Sequence, residues 1–187
     1  MKIACYGVPG SFTEVATIDY AKTLTEPYKI VYLTALESVV DEVISGRCKY
    51  GVIPTENNTA GAVIGADDLI KANKLQVAAD YWMPIVHSLL ALPDAKLSNI
   101  KEVTSHWQAL KQCEKYLHKL NPDIAVNPYE DTALACEFVS REGRMELAAI
   151  ANGRCAEIYG LIELDKAIQD NKNNKTRFKV IMKEEKK

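Results

Sequence analysis

Short apolar runs suited to strands alternate along this chain with longer amphipathic runs suited to helices, and that alternation limits the fold more than any other feature. Lys2 to Tyr6 reads as a buried strand, Thr13 to Thr23 as a helix and Tyr28 to Leu33 as a second strand. Ala35 to Ser45 follows as a helix with Leu36, Val39, Val40, Val43 and Ile44 on one face, and Tyr50 to Pro54 as a third strand. Ile64 to Ala72 reads as helical, Gln76 to Trp82 as extended and Ile85 to Leu92 as an apolar strand stopped by Pro93. The rhythm then restarts: a short strand at Glu102 to Thr104, a helix from Ser105 to His118, a strand from Ile124 to Pro128 and a helix from Asp131 to Arg141. A strand at Leu147 to Ala151, a helix at Arg154 to Tyr159 and a final strand through Phe178 to Met182 complete it, before a solvated tail over 183–187. Such alternation predicts an α/β fold with parallel or mostly parallel sheets covered by helices on both faces. Two series predict two βα lobes with a cleft between them, the first about residues 1–77 plus 166–187 and the second about 78–165. The segment Val77 to Met83 is expected to act as a strand-like hinge, and the chain to return to the first lobe between Asp165 and Thr176.

Composition narrows the partners. A chain of 187 residues with a formal charge of -2 carries no excess of positive charge to attract nucleic acid or an anionic membrane surface. No apolar stretch approaches the ~18 residues of a membrane span, and the N-terminal apolar run is too short for a signal peptide. Cys5, Cys48, Cys113, Cys136 and Cys155 are scattered without C-x-x-C spacing. That pattern suggests neither a disulfide framework nor a zinc site and fits a reducing, cytoplasmic compartment.

Polar residues gather where strands hand over to helices. Gly7-Val8-Pro9-Gly10-Ser11-Phe12-Thr13-Glu14 follows the first strand, so its backbone N–H groups and the hydroxyls of Ser11 and Thr13 can receive an anion or simply cap the helix. It is neither a G-x-G-x-x-G nor a Walker loop, and a carboxylate suits it better than a nucleotide phosphate. Glu56, Asn57 and Thr59 stand in a polar turn at the carboxyl end of the third strand, where open α/β sheets bind ligands. Ser105 is placed to cap a helix on which Gln108 and Gln112 share a face. His106 invites a general-base reading beside a structural one, and His87, inside an apolar run, reads as a core histidine. Asn174-Lys175-Thr176-Arg177-Phe178 sets a hydroxyl, a fixed cation and a ring at the start of the last strand. Three helix N-termini with Arg177 describe a site for a small dianion. No metal or cofactor is expected, because ligand spacings and nucleophile elbows are missing from the sequence. Hydroxyls, amides and one arginine suit an elimination that the substrate itself drives.

With these motifs in view, the chain resembles the catalytic domain of the prephenate dehydratase family from about Ile3 to Met182. The resemblance rests on Gly7-x-x-Gly10-Ser11-Phe12-Thr13, Gly51-Val52-Ile53-Pro54-x-Glu56-Asn57, Ser105-His106-x-Gln108-Ala109 with Gln112-Cys113, Ala148-Ala149-Ile150 with Tyr159-Gly160-Leu161, and Asn174-x-Thr176-Arg177-Phe178. It implies two α/β lobes like those of type II periplasmic binding proteins, and conversion of prephenate to phenylpyruvate, water and carbon dioxide on the route to phenylalanine. It makes Thr176 the essential group, donating a proton to the departing ring hydroxyl. Arg177 would hold a carboxylate or orient the neighbouring loop, and Phe178 would pack the motif. Glu56, Asn57, Thr59, Ser105 and Gln112 would orient substrate polar groups, with Ser11 and Thr13 serving the first helix N-terminus.

Thr55, Asn58 and Trp107 depart from the family's usual aliphatic residue, serine or threonine, and proline at those places. The family's usual C-terminal ACT domain is not in this sequence. Either the enzyme is expected to lack phenylalanine feedback or the sequence is a natural or engineered catalytic fragment, and part of the usual contact of a possible homodimer is missing with that domain. Arogenate dehydratase and a non-catalytic small-dianion sensor are the alternatives on the same scaffold.

Overall fold

A computed structural model describes residues 1–184. Of the tail expected to be solvated, residues 185–187 lie outside the described residues. The chain divides into two compact units, one of Met1–Val8, Phe12–Pro84 and the residues from Lys175 onward, the other of Pro9–Ser11 and Ile85–Asn174. Among the described residues no helix is long and apolar enough to cross a membrane.

The first unit contains, in chain order, β1 (Lys2–Tyr6), α1 (Phe12–Ala21), β2 (Lys29–Leu33), α2 (Leu36–Ile44), β3 (Tyr50–Asn57), β4 (Gly61–Ala62), α3 (Ala66–Ala72), β5 (Gln76–Pro84) and the terminal strand β11 (Lys175–Met182). Its strands lie in the order β2-β1-β3-β11-β5, with β4 beside β3. β1 runs parallel to β2 and β3, but β11 runs antiparallel to both β3 and β5. Ile3, Ala4 and Cys5 are all fully buried, as are Val52 and Ile53, so both faces of this sheet are covered. Ala4, Ile53 and Ile181 meet Val39, Val40 and Val43 of α2 and Ala66 and Ile70 of α3, while α1 packs against β1, β3 and β11. Gly51 allows this close packing. A Cβ there would lie 2.8 Å from Val39 Cγ1 and 2.9 Å from Val43 Cγ2, inside van der Waals contact.

The second unit contains β6 (Ser88–Ala91), a 3₁₀ turn (Leu97–Asn99), β7 (Glu102–His106), α4 (Trp107–Gln112), α5 (Glu114–Leu120), β8 (Ala125–Tyr129), α6 (Thr132–Glu142), β9 (Leu147–Ala151), α7 (Arg154–Tyr159) and β10 (Ile162–Lys166). The order is β10-β6-β9-β7-β8, parallel across β9, β7 and β8 and antiparallel across β10, β6 and β9. Leu89, Ala91, Val103, Leu110, Cys113, Leu117, Ala148 and Ile150 form its core. Pro9–Ser11 belong to this unit through their backbone. The Gly10 carbonyl accepts from Asn152 Nδ2 and, at 3.2 Å, from Cys155 Sγ, and the Pro9 carbonyl from the Tyr159 hydroxyl at 2.7 Å. Gly10 has φ +88°, and a Cβ there would stand 2.7 Å from Cys155 Sγ. Glycine is therefore required on both steric grounds.

Several sequence expectations change. The sheets are mixed rather than mostly parallel, because β11 and β6 enter from the opposite direction. The segment expected to act as a hinge is the body of β5, a strand of the first sheet. The boundary expected near residue 77 falls inside that strand, and Asp165–Asn174 lie in the second unit, so the return comes at Lys175, at the end of the interval expected for it and later than the lobe limit of 166. The helix expected from Ser105 to His118 is two helices interrupted at Cys113, and β10 is a strand where no element was expected. Its Ile162 and Leu164 alternate with charged residues, which is a strand signal.

Candidate active site

Antiparallel pairing sets Thr176 opposite Asn57 and Arg177 opposite Glu56, at the carboxyl end of β3 and the first residues of β11. This pairing also holds Glu56 and Asn57 in the strand. The polar turn expected there begins only at Asn58, and β4 intervenes before α3, whose N-cap Gly65 makes no side-chain cap. The second of the three expected helix N-termini is thus not formed at Glu56–Thr59.

Asn57 is almost fully buried, and its amide is completely oriented. Its Oδ1 accepts the backbone N–H groups of Thr59 and Ala60, each at 3.0 Å, which fixes the oxygen end and turns Nδ2 toward β11. Nδ2 then donates to Thr176 Oγ1 at 2.9 Å and to the Lys175 carbonyl at 3.1 Å. A hydroxyl that accepts on its oxygen keeps its proton for another acceptor. Among the described residues, none takes the proton of the half-buried Thr176. Accepting from the amide also polarises the O–H bond and makes it a better donor.

The neighbouring groups hold this geometry. Asn58 donates its backbone N–H to the Lys175 carbonyl at 3.0 Å, and its Oδ1 accepts the Lys175 N–H at 2.9 Å. The β11–β3 register shifts between Arg177 and Phe178, and the buried Thr55 hydroxyl donates to the Arg177 carbonyl at 3.4 Å beside that shift. Phe178 is 1% exposed and anchors the strand in the core. Arg177 forms a bidentate pair with Asp80 of β5, with Nε and Nη2 each 2.7 Å from a carboxylate oxygen, and Nη1 lies 3.8 Å from Glu56. The hydrogen bond from Arg177, more than its charge, holds the Asp80 carboxyl below the usual range. Thr13, in the first turn of α1, is buried and its carbonyl accepts the Thr17 hydroxyl at 2.8 Å.

The remaining expected residues lie in the second unit with partners of their own. Ser105 is the fourth residue of β7, not a helix cap. It is fully buried and donates to the Ile150 carbonyl at 2.5 Å. His106 occupies the N-cap instead, its Nδ1 accepting from the Gln108 N–H at 3.4 Å, and burial lowers its pKa. Ser11 is buried immediately before α1. Gln112 Oε1 meets His87 Nε2 at 2.9 Å and Asn174 Nδ2 at 3.0 Å. Trp107 is 59% exposed, with its ring 5.6 Å from that of His106.

From the sequence Asp80 has no expected role, and Asn174 and Glu14 have only a place in their motifs; Glu14 is buried and accepts the Tyr32 hydroxyl at 2.5 Å. Asp80 had no visible signal, since its partner is 97 positions away. Glu14 stands in the helix first turn beside the expected cap, and its tertiary partner Tyr32 is 18 positions away.

The family model described as prephenate dehydratase matches residues 3–186. A prephenate dehydratase of Lactococcus lactis subsp. lactis is 35% identical over 187 residues, 100% of this chain and 65% of that protein. A chloroplastic arogenate dehydratase of Arabidopsis thaliana is 35% identical over 178 residues, 95% of this chain and 41% of that protein. The chain thus spans between two fifths and two thirds of the length of these relatives. A crystal structure of prephenate dehydratase from Arthrobacter aurescens in complex with L-Phe matches with TM-score 0.88 and 25% identity, over 100% of this chain and 61% of that one.

Proposed function

We propose that this chain, which belongs to the prephenate dehydratase family, converts prephenate to phenylpyruvate with Thr176 as the donor to the leaving hydroxyl. The observation that carries this reading is the oriented Asn57 amide, which occupies the oxygen of Thr176 and leaves its proton to be given away. In the reaction the bond from the ring to its carboxylate breaks and releases carbon dioxide. The freed electron pair completes the aromatic ring and expels the hydroxyl from the opposite carbon. That oxygen departs as water with a proton delivered along the Thr176 hydrogen bond and restored from solvent, so prephenate dianion and one proton give phenylpyruvate anion, carbon dioxide and water. A threonine hydroxyl is a weak acid, and its contribution is an oriented hydrogen bond that strengthens as negative charge grows on the leaving oxygen. Aromatisation supplies most of the drive.

Glu56, Thr59, Ser105, Gln112, Ser11 and Thr13 serve substrate polar groups or hold the backbone that does. Gln112 is the most direct of these, since its oxygen is already satisfied and its N–H donors face no acceptor among the described residues. A cytoplasmic, reducing location fits five cysteines that are all buried thiols. Relatives named for arogenate make the amino counterpart of prephenate the competing substrate. Purified protein supplied with prephenate and with arogenate in parallel separates the two. Formation of phenylpyruvate, strongly reduced by Thr176→Ala with the fold retained, is the expected result. Consumption of neither substrate overturns the reading.

A further inference from the structure

His87 and Asn174 are buried, and the reaction scheme gives neither a role. His87 is 2% exposed, just before β6, between the buried Ile85 and the buried Leu89 and Leu90. Its backbone is fixed on both sides: the N–H donates to Gln169 Oε1 at 3.0 Å and the carbonyl accepts the Ile168 N–H at 3.0 Å. Asn174, likewise 2% exposed, is the first member of the Asn174-x-Thr176-Arg177-Phe178 motif. Its N–H donates to the Asn171 carbonyl at 3.2 Å and its carbonyl accepts the Ile85 N–H at 2.9 Å.

Both side chains converge on one atom. His87 Nε2 stands 2.9 Å, and Asn174 Nδ2 3.0 Å, from Oε1 of the half-buried Gln112. A carbonyl oxygen has two lone pairs, and here two donors fill them. Facing an oxygen, His87 Nε2 must carry its proton. Burial lowers the pKa of the ring and keeps it neutral, so the ring is the Nε2–H tautomer. The Gln112 backbone is pinned as well, its carbonyl accepting the Asp170 N–H at 2.7 Å. With backbone and oxygen both fixed, the amide cannot turn over without setting N–H against N–H.

We infer that His87 and Asn174 are positioning residues for Gln112, locking its amide so that the NH2 group is presented as a pure donor to an acceptor oxygen of the ligand. The inference rests on the dehydratase reading only for the identity of that ligand, whose carboxylate or keto oxygens are the acceptors such a group takes. An amide free to flip would offer its oxygen half the time and bind acceptor oxygens less well. The motif's asparagine thereby gains a function separate from that of the threonine two positions on.

The test has a resting-state arm and a kinetic arm. Nitrogen NMR of the intact protein at neutral pH is expected to show His87 as the neutral Nε2–H tautomer. An Nδ1–H tautomer or an imidazolium overturns the inference whether or not the protein turns over prephenate. In the kinetic arm, His87→Leu and Gln112→Ala are each expected to lower kcat/KM by about tenfold, mainly through KM. The double variant should be no worse than the weaker single by more than about twofold, because both changes remove one device. His87→Gln, which restores a donor near the Nε2 position, should recover most of the loss. Multiplying effects in the double variant, or no recovery with glutamine, overturn the inference. Should His87→Leu fail to fold, Asn174→Ala replaces it in the same cycle with the same criteria. A wild-type protein inert toward both prephenate and arogenate refutes the dehydratase reading. The tautomer, and the side-chain NH2 signals of Gln112 in Asn174→Ala, still decide the positioning role: unchanged signals refute it.

Discussion

Thr176→Val separates chemistry from packing at the proposed donor. Valine keeps the β-branched shape favoured in a strand and replaces only the hydroxyl with a methyl group. The structural loss is one hydrogen bond, from Asn57 Nδ2 at 2.9 Å. Nδ2 keeps its bond to the Lys175 carbonyl and Oδ1 keeps both backbone donors, so Asn57 is not left orphaned. The cost to stability is therefore that of one neutral bond at a half-buried site, about 0.5–1.5 kcal/mol. For a chain of this size that lowers Tm by a few degrees, at ~2–4 °C per kcal/mol. Turnover should fall much further, by about 10²–10⁴-fold, the range for removing a positioned proton donor. Thr176→Ser keeps the hydroxyl and should retain activity within about tenfold. Steady-state formation of phenylpyruvate, with thermal unfolding on the same samples, checks both sides. Valine activity above about a tenth of wild type would refute the donor role. So would a serine variant as inactive as the valine one, since the hydroxyl would then not be what matters.

Three further outcomes follow from the same geometry. Gly51→Ala drives a methyl to within 2.8–2.9 Å of Val39 and Val43 and should destabilise by about 1–3 kcal/mol through overpacking, read as a lowered midpoint in urea; an unchanged midpoint would contradict the close packing of α2 on β3. Asp80→Asn breaks the bidentate pair with Arg177. The carboxyl's folded pKa lies below its ordinary 3.8, so its stabilisation is present above that pH and vanishes as pH falls through the folded value. Wild type and variant should thus differ at neutral pH and converge in acid, and a constant difference would refute the assignment. For His87 the folded pKa is depressed by burial below 6.5. Its stabilising effect is complete above pH 6.5 and declines as pH falls below that value, by up to about 1.4 kcal/mol per pH unit. The stability of His87→Gln relative to wild type should therefore improve from pH 7 to pH 5, and a parallel decline would refute the depressed pKa.

The residues of the proposed donor site were legible because they sit in contiguous motifs, and the role proposed for them depends on local strand geometry. Thr176, Arg177 and Phe178 announced a strand with a hydroxyl at its start, and Glu56 with Asn57 announced a polar strand end. That the two segments pair antiparallel could not be read, because hydrophobic period reports that a segment is a strand and not which way its neighbour runs. The consequence was material: pairing keeps Glu56 and Asn57 extended, where the local sequence read as a turn. Ser105 shows the reverse error. A serine before a helical pattern signals a cap, but β7 continues one residue further, and the hydroxyl bonds to a carbonyl 45 positions away. His87 read correctly as a core histidine. What the sequence could not show was the amide it touches, 25 positions on.

Charge around Arg177 bears on which of its two expected roles the protein uses. Its Nε and Nη2 are committed to Asp80, and its remaining nitrogen faces Glu56. One cation thus stands among two carboxylates, a local balance of about -1 at neutral pH. A dianionic substrate would gain little from such a group, since each carboxylate it brought would compete with one already bound in fork geometry. The same contacts link the three adjacent strands β5, β11 and β3 at the level of Thr176. That favours orientation of the strand start over direct capture of a carboxylate. It also fits the neutral character of two of the proposed substrate donors: a hydroxyl whose oxygen is held by Asn57, and an amide whose oxygen is held by His87 and Asn174. Neutral donors have no long-range field to guide a ligand, so their effect depends on being aimed in advance. At each, a buried asparagine does part of that aiming.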